Sequence, residues 1–157
     1  MKKILDVLRA YEQNATLANS IDNQVGGGPS MKQSKDGVRR YFTNTSQEPF
    51  SDERRKKTKS FCLNLEKRLS EAQSLFPDYN PIDPMPTAMA EYGYTLNKSN
   101  RVNNHKNHVQ SNYLMNLTEA VSRHLFLDEY KAEFFVVYCI PYSSFVAVAE
   151  HFISDIG

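Results

Sequence analysis

Residues 51–76 read SDERRKKTKSFCLNLEKRLSEAQSLF, and this stretch carries the clearest fold signal in the chain. Apolar side chains recur in it at intervals of three and four residues, the spacing of one face of an α-helix. That face consists of Thr58, Phe61, Cys62, Leu65, Leu69, Ala72, Leu75 and Phe76. Ser51 is a suitable N-cap, and Asp52 and Glu53 place carboxylates where the helix dipole is positive. The sequence therefore predicts a long amphipathic helix that is stopped by Pro77.

Helices are also predicted on both sides of this one. Ile4 and Leu8 belong to a three–four repeat that extends over residues 3–22, although alanines weaken its second half. A second strong repeat occupies residues 109–125. A closing helix is predicted over residues 142–156. The chain should therefore contain about four helices.

Three short segments have the composition of β-strands. Residues 38–44 (VRRYFTN) are rich in β-branched and aromatic residues, and residues 91–97 (EYGYTLN) alternate apolar with polar side chains. Residues 133–141 (EFFVVYCIP) are almost entirely apolar, which is typical of a strand covered on both faces. Since the backbone groups of a buried strand need partners, we expect these segments to pair. The predicted fold class is α+β, predominantly helical with about four helices and a small sheet of two or three short strands.

Glycine and proline divide the chain into parts. Residues 25–37 (VGGGPSMKQSKDG) predict a flexible Gly-rich loop. Residues 1–24 then form an N-terminal helical arm, whose apolar stripe could dock on a second copy of the chain, and residues 38–157 form a single compact α+β domain. Residues 77–86 contain four prolines and are expected to be irregular. The polar residues 98–108 have no apolar repeat and are predicted to be a loop.

Composition limits the class of protein. The chain has 157 residues, 40% of them hydrophobic and 24% charged, so it can bury a core without a metal or a disulfide. Cys62 and Cys139 lie in apolar surroundings and are expected to be buried thiols in a reducing compartment. No signal peptide is recognisable, and no apolar run approaches the roughly 20 residues of a membrane helix. We therefore expect a cytoplasmic protein without a membrane partner.

Charge is distributed unevenly along the chain. The net charge is +1, but residues 30–110 carry 14 Lys+Arg against 9 Asp+Glu, whereas residues 111–157 carry 2 against 6. Binding to a polyanion is driven by the release of counterions from phosphates, so a cluster of long cationic side chains suffices without a strict motif. The same segregation could instead let the two halves of the chain attract each other.

The basic run at residues 54–59 has two interpretations. Consecutive residues of a helix wrap around its axis, so the run could be no more than the solvated start of a helix. It could also contact phosphates together with residues 32–42 and 98–108, where Arg, Asn and aromatic side chains can bind bases. The candidate nucleic-acid-binding residues are Arg39, Arg40, Arg55, Lys56, Lys57, Lys59, Arg101 and Lys106. This hypothesis requires the three segments to converge on one surface.

Two further alternatives involve metal ions. His105 and His108 would share a helix face and could bind zinc, although no other Cys or His completes a recognisable pattern. Glu129 and Lys131 match the Glu-x-Lys pattern of metal-dependent nucleases, and Asp78 or Asp83 could supply the upstream carboxylate for Mg²⁺. Motifs for a nucleophile or a P-loop are missing from the sequence, so no cofactor is expected.

The sequence favours a non-enzymatic protein that binds nucleic acid or serves as an accessory subunit of a nucleoprotein complex. The first alternative is a protein-partner module, such as an inhibitor, immunity or adaptor protein that acts on a nucleic-acid enzyme. The second is the Mg-dependent nuclease, although the sequence leans against an enzyme. The expected partner is thus nucleic acid or a nucleic-acid-processing protein, with oligomerisation through the N-terminal helix as a further hypothesis.

Overall fold

A computed structural model describes residues 1–25, 34–35, 37–43, 51–78, 95, 97–109 and 112–127. These residues form five α-helices and one 3-10 turn. In chain order, the elements are α1 (Lys2–Gln13), α2 (Ala15–Asp22), the 3-10 turn (Arg40–Phe42), α3 (Asp52–Leu75), α4 (Lys98–Lys106) and α5 (Tyr113–Phe126). None of the described helices is long and apolar enough to cross a membrane.

The long helix predicted from the basic and apolar pattern is confirmed as α3. Its N-cap is Ser51, whose Oγ accepts a hydrogen bond from the backbone N–H of Arg54 at 3.4 Å. The buried part of its predicted apolar face comprises Thr58, Cys62, Leu65 and Leu69. Leu75 and Phe76 are 74% and 52% exposed, so the end of the helix extends beyond the core.

The predicted N-terminal helix is divided into α1 and α2 at Asn14. The backbone of Asn14 is extended, and its side-chain oxygen accepts a hydrogen bond from the N–H of Leu17 at 2.9 Å. Asparagine favours such caps because its side chain competes for backbone donors. The apolar stripe of α1 faces inward, with Ile4, Leu5, Leu8 and Tyr11 buried. These four side chains are therefore already used within the chain and are not available to a second copy.

The hydrophobic core lies between α1, α3 and α5 and is closed by α2 and the 3-10 turn. From α5 it receives Leu117, Ala120 and Val121. The ring of Tyr11 packs edge-on against Phe42, with centroids 5.5 Å apart, and lies 6.0 Å from the ring of Tyr41. The first two helices thus share one core with the rest of the described chain.

The predicted α+β class is wrong for the described residues, which contain no strand. Where the first strand was predicted, Arg40–Phe42 form a 3-10 turn, and an isolated antiparallel bridge joins Lys35 to Val38. Consecutive residues of a strand point to opposite faces, but Tyr41 and Phe42 are only 2% and 1% exposed and enter the same core. Burial of two adjacent aromatic side chains overrides their β-propensity, which depends strongly on context.

The polar segment predicted to be a loop contains helix α4. Asn97 caps it by accepting a hydrogen bond from the backbone N–H of Asn100 at 3.0 Å. Because α4 has no buried residue, it lacks the apolar repeat by which an amphipathic helix is recognised. The second strong amphipathic helix is confirmed as α5, although it begins at Tyr113 and not at Val109.

Several predictions concern residues outside the described part of the chain. The strand at residues 133–141, the closing helix at residues 142–156 and Cys139 lie there entirely. Most of the glycine-rich loop and most of residues 91–97 lie there as well.

Candidate nucleic-acid interface

Arg39 and Arg40, two of the predicted nucleic-acid-binding residues, are buried. Each is 5% exposed. The Nε of Arg39 donates to the carbonyl of Tyr11 at 2.8 Å, and the Nη1 of Arg40 donates to the carbonyls of Asp22 and Val25 at 3.1 and 3.3 Å. Hydrogen bonds from a charged donor are worth about 1.5–3 kcal/mol each, so a phosphate would have to replace contacts that stabilise the fold.

A buried polar network holds this segment against the first two helices. Asp22 accepts hydrogen bonds from the hydroxyl of Tyr11 at 3.0 Å and from the backbone N–H of Ser34 at 2.8 Å. Burial raises the pKa of Asp22, and it raises the pKa of Tyr11 well above the usual value. The network joins Asp22, at the end of α2, to Ser34 in the second half of the glycine-rich loop. Arg39 and Arg40 donate to the carbonyls of Tyr11 and Asp22 in the same region, so their role here is structural.

Arg54, at the start of α3, connects three elements. Its Nη1 donates to the carbonyls of Thr43 and Tyr41 at 2.8 and 3.2 Å. Its guanidinium lies 4.7 Å from the ring centroid of Tyr113, the first residue of α5, whose hydroxyl donates to the carbonyl of Arg54 at 3.1 Å. Burial lowers the pKa of Arg54. This arginine therefore ties α3 to α5 and to the end of the 3-10 turn.

Three of the four predicted binding residues on α3 form ion pairs. Glu12 of α1, whose side chain is 15% exposed, pairs with Arg55 and lies 3.6 Å from Lys59. Lys57 pairs with Glu53 at 2.6 Å, and this hydrogen bond lowers the pKa of the Glu53 carboxyl. Much of the positive charge of the run is thus matched by nearby carboxylates.

Lys56 differs from its neighbours on α3. It is exposed, and no described carboxylate lies within 4.0 Å of its ammonium group. It is separated from Thr58, on the buried face, by two residues, or about 200° of helix rotation. Lys56 therefore projects away from the core, where it can meet a partner.

Helix α4 presents cations and amides without nearby acidic residues in the sequence. Between Glu91 and Glu119 the chain has no Asp or Glu. Lys98 and Lys106 are exposed, and neither has a carboxylate within 4.0 Å in the described part of the chain. Lys106 shares the exposed side of the helix with Ser99, Asn100, Asn103 and Asn107, whereas Lys98 is exposed at the start of the helix. Lysines bind phosphates and asparagines bind base edges, so this side has the donors that a nucleic acid requires.

The predicted residue Arg101 lies on a different side of α4. It is half-buried, as are Val102 and His105. At 100° per residue, Arg101 and Lys106 are about 140° apart around the helix axis. The structure therefore separates the two predicted binding residues of α4, and only Lys106 belongs to its exposed side.

Helix α4 ends in a Schellman motif whose left-handed residue is a histidine. The backbone N–H of Val109 donates to the carbonyl of Asn104 at 2.9 Å, and that of His108 donates to the carbonyl of His105 at 3.0 Å. His108 has a φ of 55°, a conformation usually left to glycine. The left-handed region costs a residue with a side chain about 1–2 kcal/mol, so contacts of the histidine ring must offset this cost.

The ring of His108 is wholly buried and hydrogen-bonded at both nitrogens. Nδ1 lies 2.6 Å from the hydroxyl of Tyr41, and Nε2 lies 3.3 Å from Oε2 of Glu119. The other carboxylate oxygen of Glu119 accepts from Nη2 and Nε of Arg123 at 2.6 and 3.0 Å. Burial raises the pKa of Glu119, but the hydrogen bonds with His108 and Arg123 outweigh burial and leave it below the ordinary value.

The described part of the chain contains no group of side chains suited to bind a metal ion. No cluster of three or more His, Cys, Asp or Glu residues that could hold an ion occurs there. Both ring nitrogens of His108 are engaged, which leaves neither with a free lone pair to share an ion with His105. Asp78 is exposed just after α3, whereas Asp83, Glu129 and Lys131 lie outside the described residues.

The three predicted basic segments meet at Tyr41, which belongs to residues 32–42, but they meet through a buried side chain and not as one open cationic surface. The carbonyl of Tyr41 accepts from Arg54 of α3, and its hydroxyl contacts His108, two residues after Lys106. Sequence reasoning missed Tyr41 and Glu119 as organising residues, because a single Tyr or Glu gives no pattern that would distinguish it. No protein-family model matches this chain, and neither the curated proteins nor the solved structures include a significant match to it.

Proposed function

We propose that the protein binds nucleic acid without catalysing a reaction on it, as an accessory subunit of a nucleoprotein complex, with α4 as the contact helix. The observation that carries this proposal is the exposure of Lys98 at the start of α4 and of Lys106 beside the asparagines, with no described carboxylate within 4.0 Å of either lysine. On α3, by contrast, Lys57 and Lys59 both lie within 4.0 Å of a carboxylate. A phosphate that binds the lysines of α4 therefore does not have to displace a described carboxylate.

The shape of α4 suits a groove. The major groove of B-DNA is about 12 Å wide and admits an α-helix, whose diameter with side chains is about 10–12 Å; the nine residues of α4 would extend about 14 Å along it. Asn100, Asn103 and Asn107 recur at spacings of three and four and therefore share a side. Asn107 donates to the carbonyl and side-chain oxygens of Asn103 at 2.9 and 3.0 Å, a contact that it exchanges for a base edge on binding.

The start of α3 supplies secondary contacts in this proposal. Exposed ion pairs are worth only about 0–1 kcal/mol, so Lys57, whose partner Glu53 is also exposed, can exchange its carboxylate for a phosphate at low cost. Lys59 is exposed and lies 3.6 Å from the less exposed Glu12. Arg55 and Lys56 lie in the same helical turn. Arg39 and Arg40 are left out of the proposed interface because their guanidinium groups would have to leave the core.

A protein-partner module is the second candidate, and a different observation favours it. Leu75, the last residue of α3, and the adjoining Phe76 are 74% and 52% exposed, and contiguous exposed apolar side chains can mark a protein contact. A stoichiometric protein partner that survives nuclease treatment in a pull-down supports this candidate. We place either function in the cytoplasm, which the free, buried thiol of Cys62 supports.

Fluorescence anisotropy with labelled duplex DNA, single-stranded DNA and duplex RNA tests the nucleic-acid proposal. We expect binding at about 50 mM salt that weakens steeply towards about 200 mM. The double variant Lys98→Gln, Lys106→Gln should bind about tenfold more weakly, and its slope of log affinity against log salt should be smaller by about two. The matched control Lys2→Gln, Lys3→Gln removes two exposed lysines of α1 and should bind like the parent.

Two results contradict the proposal. The first is the absence of any binding at about 50 mM salt, where the electrostatic contribution is large. The second is an equal loss of affinity in the α4 variant and in the α1 control, because it would make the effect one of net charge alone.

A further inference from the structure

We propose that His108 is the positioning residue of α4: its buried ring, as the neutral tautomer with the proton on Nε2, fixes the contact helix between the hydroxyl of Tyr41 and the carboxylate of Glu119. The inference rests on the proposed function insofar as α4 is the contact helix. The hydrogen-bonded chain itself is independent of any ligand.

The first support is the backbone of His108. A glycine would close the Schellman motif of α4 without strain, but the chain has a histidine at φ 55°. A residue held in a sparsely populated conformation persists where surrounding contacts determine it. Here the side chain, which is fully buried, supplies those contacts.

The second support is the completeness of the hydrogen-bonded chain in one tautomer. Burial raises the pKa of Tyr41, so its hydroxyl keeps its proton and can donate it to Nδ1. Nε2–H then donates to Glu119, whose other oxygen accepts from Arg123. An imidazolium would donate from both nitrogens, and the proton of the Tyr41 hydroxyl would lose this acceptor. The neutral form of His108 therefore gives a hydrogen-bond partner to the Tyr41 hydroxyl and to both ring nitrogens of the histidine.

The third support is the position of the histidine relative to the helix. Helix α4 has no buried residue of its own, and the fully buried ring of His108 follows it after one intervening residue. That ring contacts the 3-10 turn through Tyr41 and α5 through Glu119. Contacts to base edges require a helix placed to within about 0.5 Å, whereas phosphate contacts tolerate more movement. His108, the anchor of α4, should thus affect discrimination between DNA sequences more than overall affinity for nucleic acid.

Two measurements on the unliganded protein test the anchor directly. In ¹⁵N-labelled protein, the imidazole of His108 should carry its proton on Nε2 and accept a hydrogen bond at Nδ1. In His108→Gly, which retains the left-handed backbone but removes the ring, amide hydrogens at residues 103–107 should exchange roughly tenfold faster. Amides of α5 at Leu117 and Val121 should be unchanged. The control Val109→Ala alters the neighbouring exposed side chain and should leave exchange in α4 as in the parent.

The outcomes separate the anchor from the proposed function. A proton on Nδ1, or unchanged exchange of α4 in His108→Gly, overturns the anchor. If the glycine variant does not fold, Tyr41→Phe provides the same test, since it cuts one hydrogen bond and should also speed exchange in α4. With a duplex selected for tight binding, His108→Gly should lose at least half of its preference over a random duplex. Faster exchange without any nucleic-acid binding supports the anchor and removes the proposed function.

Discussion

The start of α3 and helix α4 contain similar cationic side chains but lie in different surroundings. On α3, a carboxylate from α1 and two from the first turn lie within 4.0 Å of Arg55, Lys57 or Lys59. On α4, Lys98 and Lys106 have no such neighbour in the described chain. The more conspicuous basic run in the sequence is therefore the more neutralised one in the structure.

The two helices also differ in how they are attached. α3 buries Thr58, Cys62, Leu65 and Leu69 and contributes to the hydrophobic core. α4 has no fully buried residue, although Arg101, Val102 and His105 are half-buried, and it is followed by a histidine held by polar contacts. Apolar packing is non-directional and proportional to area, whereas hydrogen bonds depend on geometry and protonation. Substitution of charged residues, lowering of the pH and truncation of side chains should therefore affect the stability of the two helices differently.

The largest difference should follow from side-chain truncation. Leu65→Ala on α3 removes a side chain that is 2% exposed and should lower the free energy of unfolding by about 2–5 kcal/mol. Val102→Ala on α4 truncates a half-buried side chain and should cost less than about 1 kcal/mol. Urea denaturation followed by circular dichroism measures both. Equal costs would show that α4 belongs to the core as fully as α3 does.

This contrast explains how far the sequence could predict the fold. The position of α3, its N-cap Ser51 and the presence of α5 could be predicted because an amphipathic helix repeats its apolar residues every three or four positions. Helix α4 could not, since a helix without a buried face has no such repeat. Its N-cap Asn97 is a local signal, but asparagine is equally common in loops. The 3-10 turn was missed because burial of Tyr41 and Phe42 determines its conformation.

The candidate interface was less predictable than the fold. Basic residues can be counted in the sequence, but their counterions cannot. Glu12 precedes Arg55 by 43 positions, and only the packing of α1 on α3 brings the two together. Burial of Arg39 and Arg40 depends in the same way on carbonyls supplied by distant segments. A basic run therefore predicts a basic surface only where no other element supplies carboxylates.

Removal of the Glu119 carboxylate tests the polar attachment of α4. Hydrogen bonds to a charged group are worth about 1.5–3 kcal/mol, so Glu119→Gln should destabilise the protein by that order at neutral pH. The same change should accelerate amide exchange in α4 more than in α3. Arg123→Gln is a milder control because it retains the contact between Glu119 and His108. Loss of stability without a change in α4 would assign Glu119 to the core alone.

Acid should act through the same carboxylate. The pKa of Glu119 lies below its ordinary value of 4.5, so its stabilising contribution is complete above 4.5 and is lost as the pH falls through the lower, folded-state pKa. Asp22 has the opposite sign: burial raises its pKa, and its contribution is lost as the pH rises through the folded-state value. Urea midpoints measured from pH 6 down to about pH 3 should fall for the parent and fall less for Glu119→Gln.

Removal of the two N-caps compares the helices by an equivalent change. Ser51→Ala and Asn97→Ala each delete one side-chain hydrogen bond to the first turn, which typically costs about 1 kcal/mol. Because α3 is part of the core, loss of its cap in Ser51→Ala should lower the global free energy of unfolding. Fraying of α4 should instead appear as faster exchange near residues 99–102 with an unchanged urea midpoint. A shifted midpoint in Asn97→Ala would mean that α4 unfolds together with the core.

The smallest effect should come from removing the counterion of α3. Glu12→Gln leaves an amide of similar size where a carboxylate faces Arg55 and Lys59, so both cations become more available to phosphate. Because the side chains of Arg55 and Lys59 are 39% and 59% exposed, solvent already screens their charges, and affinity for duplex DNA at about 50 mM salt should rise only about two- to threefold, with a steeper salt dependence. Asp6→Asn, an equal change in net charge on an exposed part of α1, is the matched control. If both variants gain affinity equally, net charge explains the effect. If Glu12→Gln alone gains affinity, the carboxylate of Glu12 weakens phosphate binding at the start of α3 relative to α4.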